Sequence, residues 1–145
     1  MKILIDTNIV LEIILRRERF EQADRLLSVL HQGGHEIFIT SGSFYGLLFT
    51  VEKYLRKVMG MESPRRIDTV RSIMSQVLSV VDVAGQDKQT LLDGIKDRSF
   101  KDLEDSCQHQ TAVKQGCDYI ITFNVKDFAE ATVTVLTPEE FLSSI

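Results

Sequence analysis

The chain has 145 residues, of which 43% are hydrophobic and 26% are charged, and its formal net charge is −4. This length and composition predict one folded domain over residues 1–145 and exclude an intrinsically disordered chain. No apolar run approaches the roughly 20 residues of a membrane span, and residues 1–6 lack the apolar centre of a signal peptide. We therefore expect a cytoplasmic protein with no membrane partner. The acidic balance argues against holding long nucleic acids by overall charge.

The first half of the chain alternates apolar segments of strand length with segments of helical period. Residues 2–5 predict a buried strand, and residues 36–40 predict a second one. Apolar side chains at helical spacing predict four helices, with Gly33-Gly34 ending the second of them. These helices cover residues 8–15, 20–30, 47–58 and 64–78. Residues 41–43 are expected to form the turn and cap before the third helix.

The second half continues the alternation. Strands are predicted over residues 80–83, 119–122 and 132–136, and helices over residues 86–96 and 102–114. The cap, proline and acids of Thr137-Pro138-Glu139-Glu140 open a short terminal helix. Alternating strands and helices predict an α/β fold with a mostly parallel sheet of about five strands, covered by helices on both faces. Ligands of such sheets bind beyond the carboxyl ends of the strands.

Polar side chains gather at these strand ends and at one helix start. They are Asp6, Thr7 and Asn8 after the first strand, Ser41 and Ser43 after the second, Asn124 and Asp127 after the strand ending at Thr122, and Asp102, Glu104 and Asp105 at the start of the helix leading into that strand. Crowded acids repel one another unless a cation neutralises them, and oxygen ligands suit Mg²⁺ or Mn²⁺. The pattern therefore indicates a metal site that could acidify a water molecule and hydrolyse a phosphodiester.

Each of these segments also has an ordinary structural explanation. Asp6 could simply cap the helix that follows it. Asp102 and Asp105, three residues apart on one helix face, could simply interact favourably with the helix dipole. Asn124 and Asp127 could be plain turn residues. The metal hypothesis gains because all three segments are expected at one crevice.

A basic stretch spans two of the predicted helices. It comprises Lys53, Arg56, Lys57, Arg65, Arg66 and Arg71. Solvated helix faces are the commonest explanation of such residues. As a hypothesis, Lys53 and Arg56 could instead steer an RNA backbone toward the acids. The two cysteines, Cys107 and Cys117, fit no zinc-binding pattern.

With these residues assembled, the chain resembles the PIN-domain family, home of the VapC-type toxin ribonucleases, across essentially its full length. The resemblance rests on two segments in order: ILIDTNIVLEIILRR, and FKDLEDSCQHQTAVKQGCDYIITFNVKDF. It implies a three-layer α/β/α sandwich, cleavage of single-stranded RNA with Mg²⁺ or Mn²⁺, and a possible place as the toxin of a toxin–antitoxin pair. A homodimer and an antitoxin protein are the partners it implies besides RNA.

The resemblance also assigns roles to individual residues. Asp6 matches the first family acid, Asp105 the acid that opens the later helix, and Asp102 an extra acid found in one branch of the family. Asn124 and Asp127 match the positions after the later strand and complete the expected catalytic set. Thr7, Asn8 and Ser41 match polar positions around the crevice, where with Lys53 and Arg56 they are expected to meet substrate.

One departure from the family pattern bears on activity. The family usually carries an acid in the helix after the second strand, and Gly46 stands at that position here. The alternative hypothesis is therefore a degenerate, non-catalytic domain that binds RNA or a protein. A haloacid-dehalogenase-like phosphatase is disfavoured, because its second Asp would fall at Asn8.

Overall fold

The computed structural model describes residues 1–145 and contains a five-stranded sheet flanked by helices. The strands are β1 (Lys2–Ile5), β2 (Glu36–Thr40), β3 (Asp82–Ala84), β4 (Tyr119–Ile121) and β5 (Thr134–Leu136). The helices are α1 (Thr7–Ile14), α2 (Phe20–Gln32), α3 (Ser41–Lys57), α4 (Arg65–Val80), α5 (Lys88–Lys96), α6 (Leu103–Gln115) and α7 (Pro138–Ser144), and a 3₁₀ turn covers Val125–Phe128. None of the helices combines the length and the apolar character that a membrane crossing requires.

All strands are parallel, in the order β3-β2-β1-β4-β5. The central strand β1 is buried on both faces, because its side chains alternate between two helix layers. Ile3 and Ile5 join the larger core cluster, and Leu4 joins the smaller one on the opposite face. The expected three-layer α/β/α sandwich with a parallel sheet of about five strands is therefore confirmed.

The order of the strands also fixes where a ligand can bind. The chain moves outward from β1 to β2 and β3, and then returns to the other side of β1 to form β4 and β5. This reversal opens a crevice beyond the carboxyl ends of β1 and β4. The predicted acids lie at this edge of the sheet.

Several predicted boundaries were wrong by about two residues, including the starts of α5 and β5, and the start of α3 was wrong by more. Helix α3 begins at Ser41 rather than at residue 47, and Thr40 caps it, since its Oγ1 accepts a hydrogen bond from the Ser43 backbone N at 2.9 Å. The segment 41–43 is therefore the first turn of α3 and not a separate turn. Helix α4 runs through Val80, and the strand that follows covers Asp82–Ala84 instead of residues 80–83. A short apolar run fits either period, and packing of α4 against α3 continues the helix.

Candidate active site

The crevice is built from two strand ends and three helix starts. Asp6 follows β1 directly, and its backbone N donates to the Ile121 carbonyl of β4 at 2.9 Å, which fixes the aspartate between the two strands. Helices α1, α3 and α6 all begin at this edge, with Asp6, Thr40 and Asp102 as their N-caps. Helix N-termini carry positive partial charge, which partly offsets the negative charge of the acids beside them.

The Asp6 carboxylate is held by a donor on each oxygen. It is 7% exposed. Its Oδ1 accepts from Gln108 Nε2 at 3.1 Å, and its Oδ2 accepts from Thr122 Oγ1 at 2.8 Å. Thr122 Oγ1 in turn accepts from the Asn124 backbone N at 3.0 Å and from Asn8 Nδ2 at 3.4 Å. This network fixes the orientation of Asp6.

The acids at the start of α6 lie close together and repel one another. The pKa of Asp105 is raised to about 7, first because burial disfavours its charge and then because Asp102, Asp6, Asp127 and Glu104 repel it. The pKa of Glu104 is raised by burial and by the same two neighbours, Asp102 and Asp6. Asp6 and the α6 acids therefore share one electrostatic site, although they come from distant parts of the sequence.

The donor set of the crevice suits a hard cation. The charged groups that act on Asp105 and Glu104 are all carboxylates, the ligand type that Mg²⁺ and Mn²⁺ prefer. The structure holds no group of three His, Cys, Asp or Glu side chains arranged to bind a metal. Mg²⁺ typically binds only one or two protein carboxylates and keeps several waters. The residues therefore fit a partly hydrated ion better than an ion whose ligands all come from the protein.

Asn124 and Asp127 lie on the segment after β4. Asn124 precedes the 3₁₀ turn and bonds to Thr122 through its backbone, while its side chain is exposed. Asp127 is exposed on the turn and is close enough to Asp105 to raise its pKa. Both predicted residues therefore reach the rim of the crevice.

The three predicted polar positions Thr7, Asn8 and Ser41 belong to hydrogen-bond networks at the same sheet edge. Thr7 Oγ1 donates to Ser43 Oγ at 2.8 Å, and Asn8 joins the Asp6 network through Thr122. Ser41 Oγ donates to Gln86 Oε1 at 3.2 Å. These contacts tie the starts of α1 and α3 to the strand ends.

Two glutamines of the site were missed by sequence reasoning. Gln108 holds Asp6, as described above. Gln86 accepts from the Gly42 backbone N at 2.8 Å and donates to Thr111 Oγ1 at 3.0 Å, and it thereby links α3 to α6. Glutamine has no strong positional preference in sequence, so only the position of Gln86 just beyond a predicted strand could have pointed to it.

The predicted basic residues lie farther along α3. Lys53 is about 18 Å of helix beyond Ser41 and lies near the Phe49 ring, with its Nζ 5.9 Å from the ring centroid. Arg56 pairs with Glu52, with 3.5 Å between Nε and Oε1. No hydrogen bond or ion pair joins either residue to the acids of the crevice.

Gly46 leaves open space where the family pattern has an acid. A Cβ built on Gly46 would meet no heavy atom within 4 Å. No other side chain has therefore taken up the volume next to this backbone position. A substitution there can add a side chain without displacing a neighbour.

His109 serves the packing of α6 rather than the acid site. Its ring stacks on Phe100, with 5.1 Å between ring centroids, and its Nε2 accepts from the Thr132 backbone N at 3.0 Å. An acceptor Nε2 means that the ring is neutral with its proton on Nδ1. Burial also lowers the pKa of His109, in agreement with the neutral form.

Comparison with known proteins gives a consistent picture. A family model described as PIN domain matches residues 2–126. Ribonuclease VapC1 of Aquifex aeolicus (strain VF5) is 25% identical over 142 residues, which cover 97% of this chain and 92% of that protein.

Solved structures share the fold over most of the chain. VapBC2 from Rickettsia felis, bound to a DNA fragment from its promoter, superposes with a TM-score of 0.70 at 16% identity, covering 94% of this chain and 98% of that one. FitAcB from Neisseria gonorrhoeae gives a TM-score of 0.71 at 18% identity, with the same coverage of 94% and 98%.

Proposed function

The chain belongs to the PIN-domain family, and from that premise we propose that it is a metal-dependent endoribonuclease that cleaves single-stranded RNA. The observation that carries the proposal is the meeting of Asp6 with the α6 acids, at a place where burial first, and then repulsion by Asp102 and Asp6, raise the pKa of Asp105 to about 7. A fold alone tolerates such crowding at a cost, whereas a bound cation removes the repulsion. Acids brought together in this way suit phosphodiester hydrolysis.

Asp6, Asp102 and Asp105 are the residues that would hold Mg²⁺ or Mn²⁺, directly or through water. Nucleases of the PIN and VapC type generally use divalent metals. When bound, such an ion supplies positive charge at the phosphodiester and makes water more acidic. Asp102 also accepts from the Asp105 backbone N at 3.0 Å, so it would combine this role with capping α6.

The remaining residues of the crevice would receive and orient the RNA backbone. The N-termini of α1, α3 and α6 direct positive partial charge toward the strand ends, where a phosphate would lie. Thr7, Ser41 and Asn124 would offer hydroxyl and amide groups around that position, and Asn8, whose amide is engaged with Thr122, would support them from behind. These contacts are to backbone features shared by all RNA, so they predict binding without strong sequence preference.

The test compares the wild-type protein with the variant Asp6→Asn on a fluorogenic single-stranded RNA pool with Mn²⁺. Asn keeps the size of Asp6 but removes its charge, so cleavage should fall at least about 100-fold while the fold persists. Asp68→Asn, at an exposed position on α4, is the matched control and should cleave normally. Absence of Mn²⁺-dependent cleavage by the wild-type protein on any RNA pool would overturn the proposal.

We further propose a toxin role, with an antitoxin protein and a second copy of the chain as partners. The family and the shared fold with VapBC2 and FitAcB support this proposal. An apolar groove of about 550 Å³ between α1, α2 and α4, lined by residues such as Ile13, Leu27 and Val77, offers a surface for a protein partner. Induced expression should arrest bacterial growth with the wild-type protein and not with Asp6→Asn.

A non-catalytic domain that binds RNA or a protein is the second candidate function. Gly46 favours it, because the usual family acid is missing there and no other side chain fills the space. Calorimetry with Mn²⁺ separates the two candidates. The nuclease proposal expects saturable binding that Asp6→Asn abolishes, and the non-catalytic alternative expects none.

A further inference from the structure

We infer that Gln108 is a positioning residue, which fixes the Asp6 carboxylate for cation binding and couples it to helix α6. The inference rests on the proposed function. Gln108 lies on α6 and is 2% exposed. Its Nε2 donates to Asp6 Oδ1 at 3.1 Å across 102 residues of sequence.

The direction of each hydrogen bond in this network follows from the Asp6 carboxylate. An ionised carboxylate can only accept hydrogen bonds. Gln108 must therefore turn its Nε2 toward Asp6, and Thr122 must donate its single hydroxyl hydrogen to Oδ2. The Thr122 oxygen is then left to accept from the Asn8 side chain. As a consequence, the amide oxygens of both Gln108 and Asn8 are buried without a partner.

Packing alone does not explain a glutamine at this position. A buried acceptor without a partner lowers stability, and an apolar side chain of similar volume would fill the space without that cost. The other buried polar residues of α6 bond elsewhere. Ser106 donates to the Gly94 carbonyl, Thr111 donates to the Cys107 carbonyl, and His109 bonds to Thr132. Among them, Gln108 alone reaches Asp6.

The position of Gln108 on α6 links the two sets of acids. Gln108 is three residues after Asp105, so the two side chains lie on the same face of the helix. The hydrogen bond to Asp6 therefore sets the distance between the end of β1 and the start of α6. Mg²⁺ demands near-ideal octahedral geometry, and loss of a hydrogen bond to a ligating carboxylate typically costs 10–100-fold in metal affinity.

The test is Mn²⁺ affinity measured by calorimetry for the variant Gln108→Met, which keeps the apolar volume and removes the donor. We expect binding weaker by about 10–100-fold, measured at a temperature at which the variant is fully folded, because Asp6 Oδ1 loses its donor. Gln110→Met, on the same helix, is the matched control and should bind Mn²⁺ normally. A purely structural Gln108 predicts unchanged Mn²⁺ affinity in the folded variant, whatever its unfolding temperature, and that result would overturn the inference.

A measurement on the unmodified protein covers the case in which Gln108→Met does not fold. The side-chain amide resonance of Gln108 should shift as Mg²⁺ saturates the site, because its acceptor then shares charge with the ion, and that of Gln110 should not. A Gln108 resonance unmoved at saturation would overturn the inference alone. Absence of Mn²⁺ and Mg²⁺ binding by the wild-type protein would instead overturn the proposed function, and the inference with it.

Discussion

The crevice has two sides whose electrostatic states differ. The strand side consists of Asp6 with its donors Gln108 and Thr122, and the helix side consists of Asp102, Glu104 and Asp105. On the strand side the carboxylate is buried and each oxygen has a hydrogen-bond donor. On the helix side the carboxylates are more exposed and repel one another and Asp6. The carboxylate on the strand side is fixed by its donors, and the carboxylates on the helix side repel one another.

The difference arises from where each acid sits in the fold. Asp6 follows the central strand, so neighbouring elements on both sides can supply donors. The α6 acids occupy the first turn of a helix, where the dipole favours negative charge and Asp102 serves as the cap. That local benefit is opposed at Asp105, first by burial and then by repulsion from Asp102, Asp6, Asp127 and Glu104. The preference of a helix start for acids and the cost of burying and crowding them therefore conflict on the helix side.

The largest expected effect is the pH dependence of stability that Asp105 gives to the helix side. Its pKa in the folded protein is raised from 3.8 to about 7. The folded state therefore binds a proton more tightly than the unfolded state, and this contribution to stability is present below about pH 4 and is lost as the pH rises through about 7. Urea unfolding of the metal-free protein should show this loss between pH 4 and pH 7. The variant Asp105→Asn should remove most of it.

Metal binding should show the opposite dependence on pH. A cation must displace the Asp105 proton, so the affinity for Mn²⁺ should rise by up to about tenfold per pH unit below pH 7 and level off above it. Asp105→Asn should abolish this rise and lower the affinity at pH 7.5 by at least about tenfold. Asp93→Asn, at an exposed position on α5, serves as the control. An unchanged pH profile in Asp105→Asn would show that the helix side is not part of the cation site.

A smaller effect would sharpen the comparison by adding a carboxylate from a third helix. The variant Gly46→Glu places an acid at the usual family position, where a Cβ meets no heavy atom within 4 Å. If this position faces the cation, Mn²⁺ should bind about 3–10-fold more tightly and cleavage should increase, since the added carboxylate offers the ion another oxygen ligand.

The control for this variant is Gly46→Ala. Replacement of a helical glycine by alanine should stabilise the fold by about 1 kcal/mol without changing Mn²⁺ affinity. Urea unfolding and calorimetry on the pair separate the effect of the helix from that of the carboxylate. Equal Mn²⁺ affinity in both variants would place Gly46 outside the site. The crevice would then consist of the strand side and the helix side alone.

Much of the strand side and the helix side could be predicted from the sequence, but their connection could not. The central strand ending at Asp6 is an apolar run followed by an acid, and Asp102 and Asp105 stand at a marked helix start, so both signals are local. Gln108 lies in the middle of a helix, and its partner is 102 residues away. Neither helical period nor residue type indicates a contact of that kind, and only the packing of α6 against the sheet produces it.

The boundary error at α3 has a related cause. Ser41-Gly42-Ser43 has the composition of a turn, because serine and glycine favour loops and caps. The hydroxyl of Thr40 supplies the cap instead, and Ser43 is buried against it and against Thr7. Tertiary contacts thus override local composition and bring the start of α3 directly to the end of β2.

The smallest expected effect concerns the basic residues predicted to bind substrate. The variants Lys53→Ala and Arg56→Ala should each change the KM for single-stranded RNA by less than about threefold, because single exposed charges contribute little. Arg56 is paired with Glu52, and Glu52 also pairs with Arg66 at 3.1 Å, so the charge of Arg56 is only partly compensated. Steady-state cleavage at two salt concentrations measures the effect, with Lys88→Ala, an exposed lysine on α5, as the control.

A larger effect would change the account of the crevice. If Lys53→Ala raised KM tenfold at low salt and much less at high salt, an RNA backbone would have to extend along α3, well beyond the acids. Binding would then depend on a third surface, and the net charge of −4 would be offset locally by Lys53 and its neighbours. A small and salt-insensitive effect would instead support the proposal that RNA is recognised at the helix N-termini and at the proposed cation site beside Asp6 and α6.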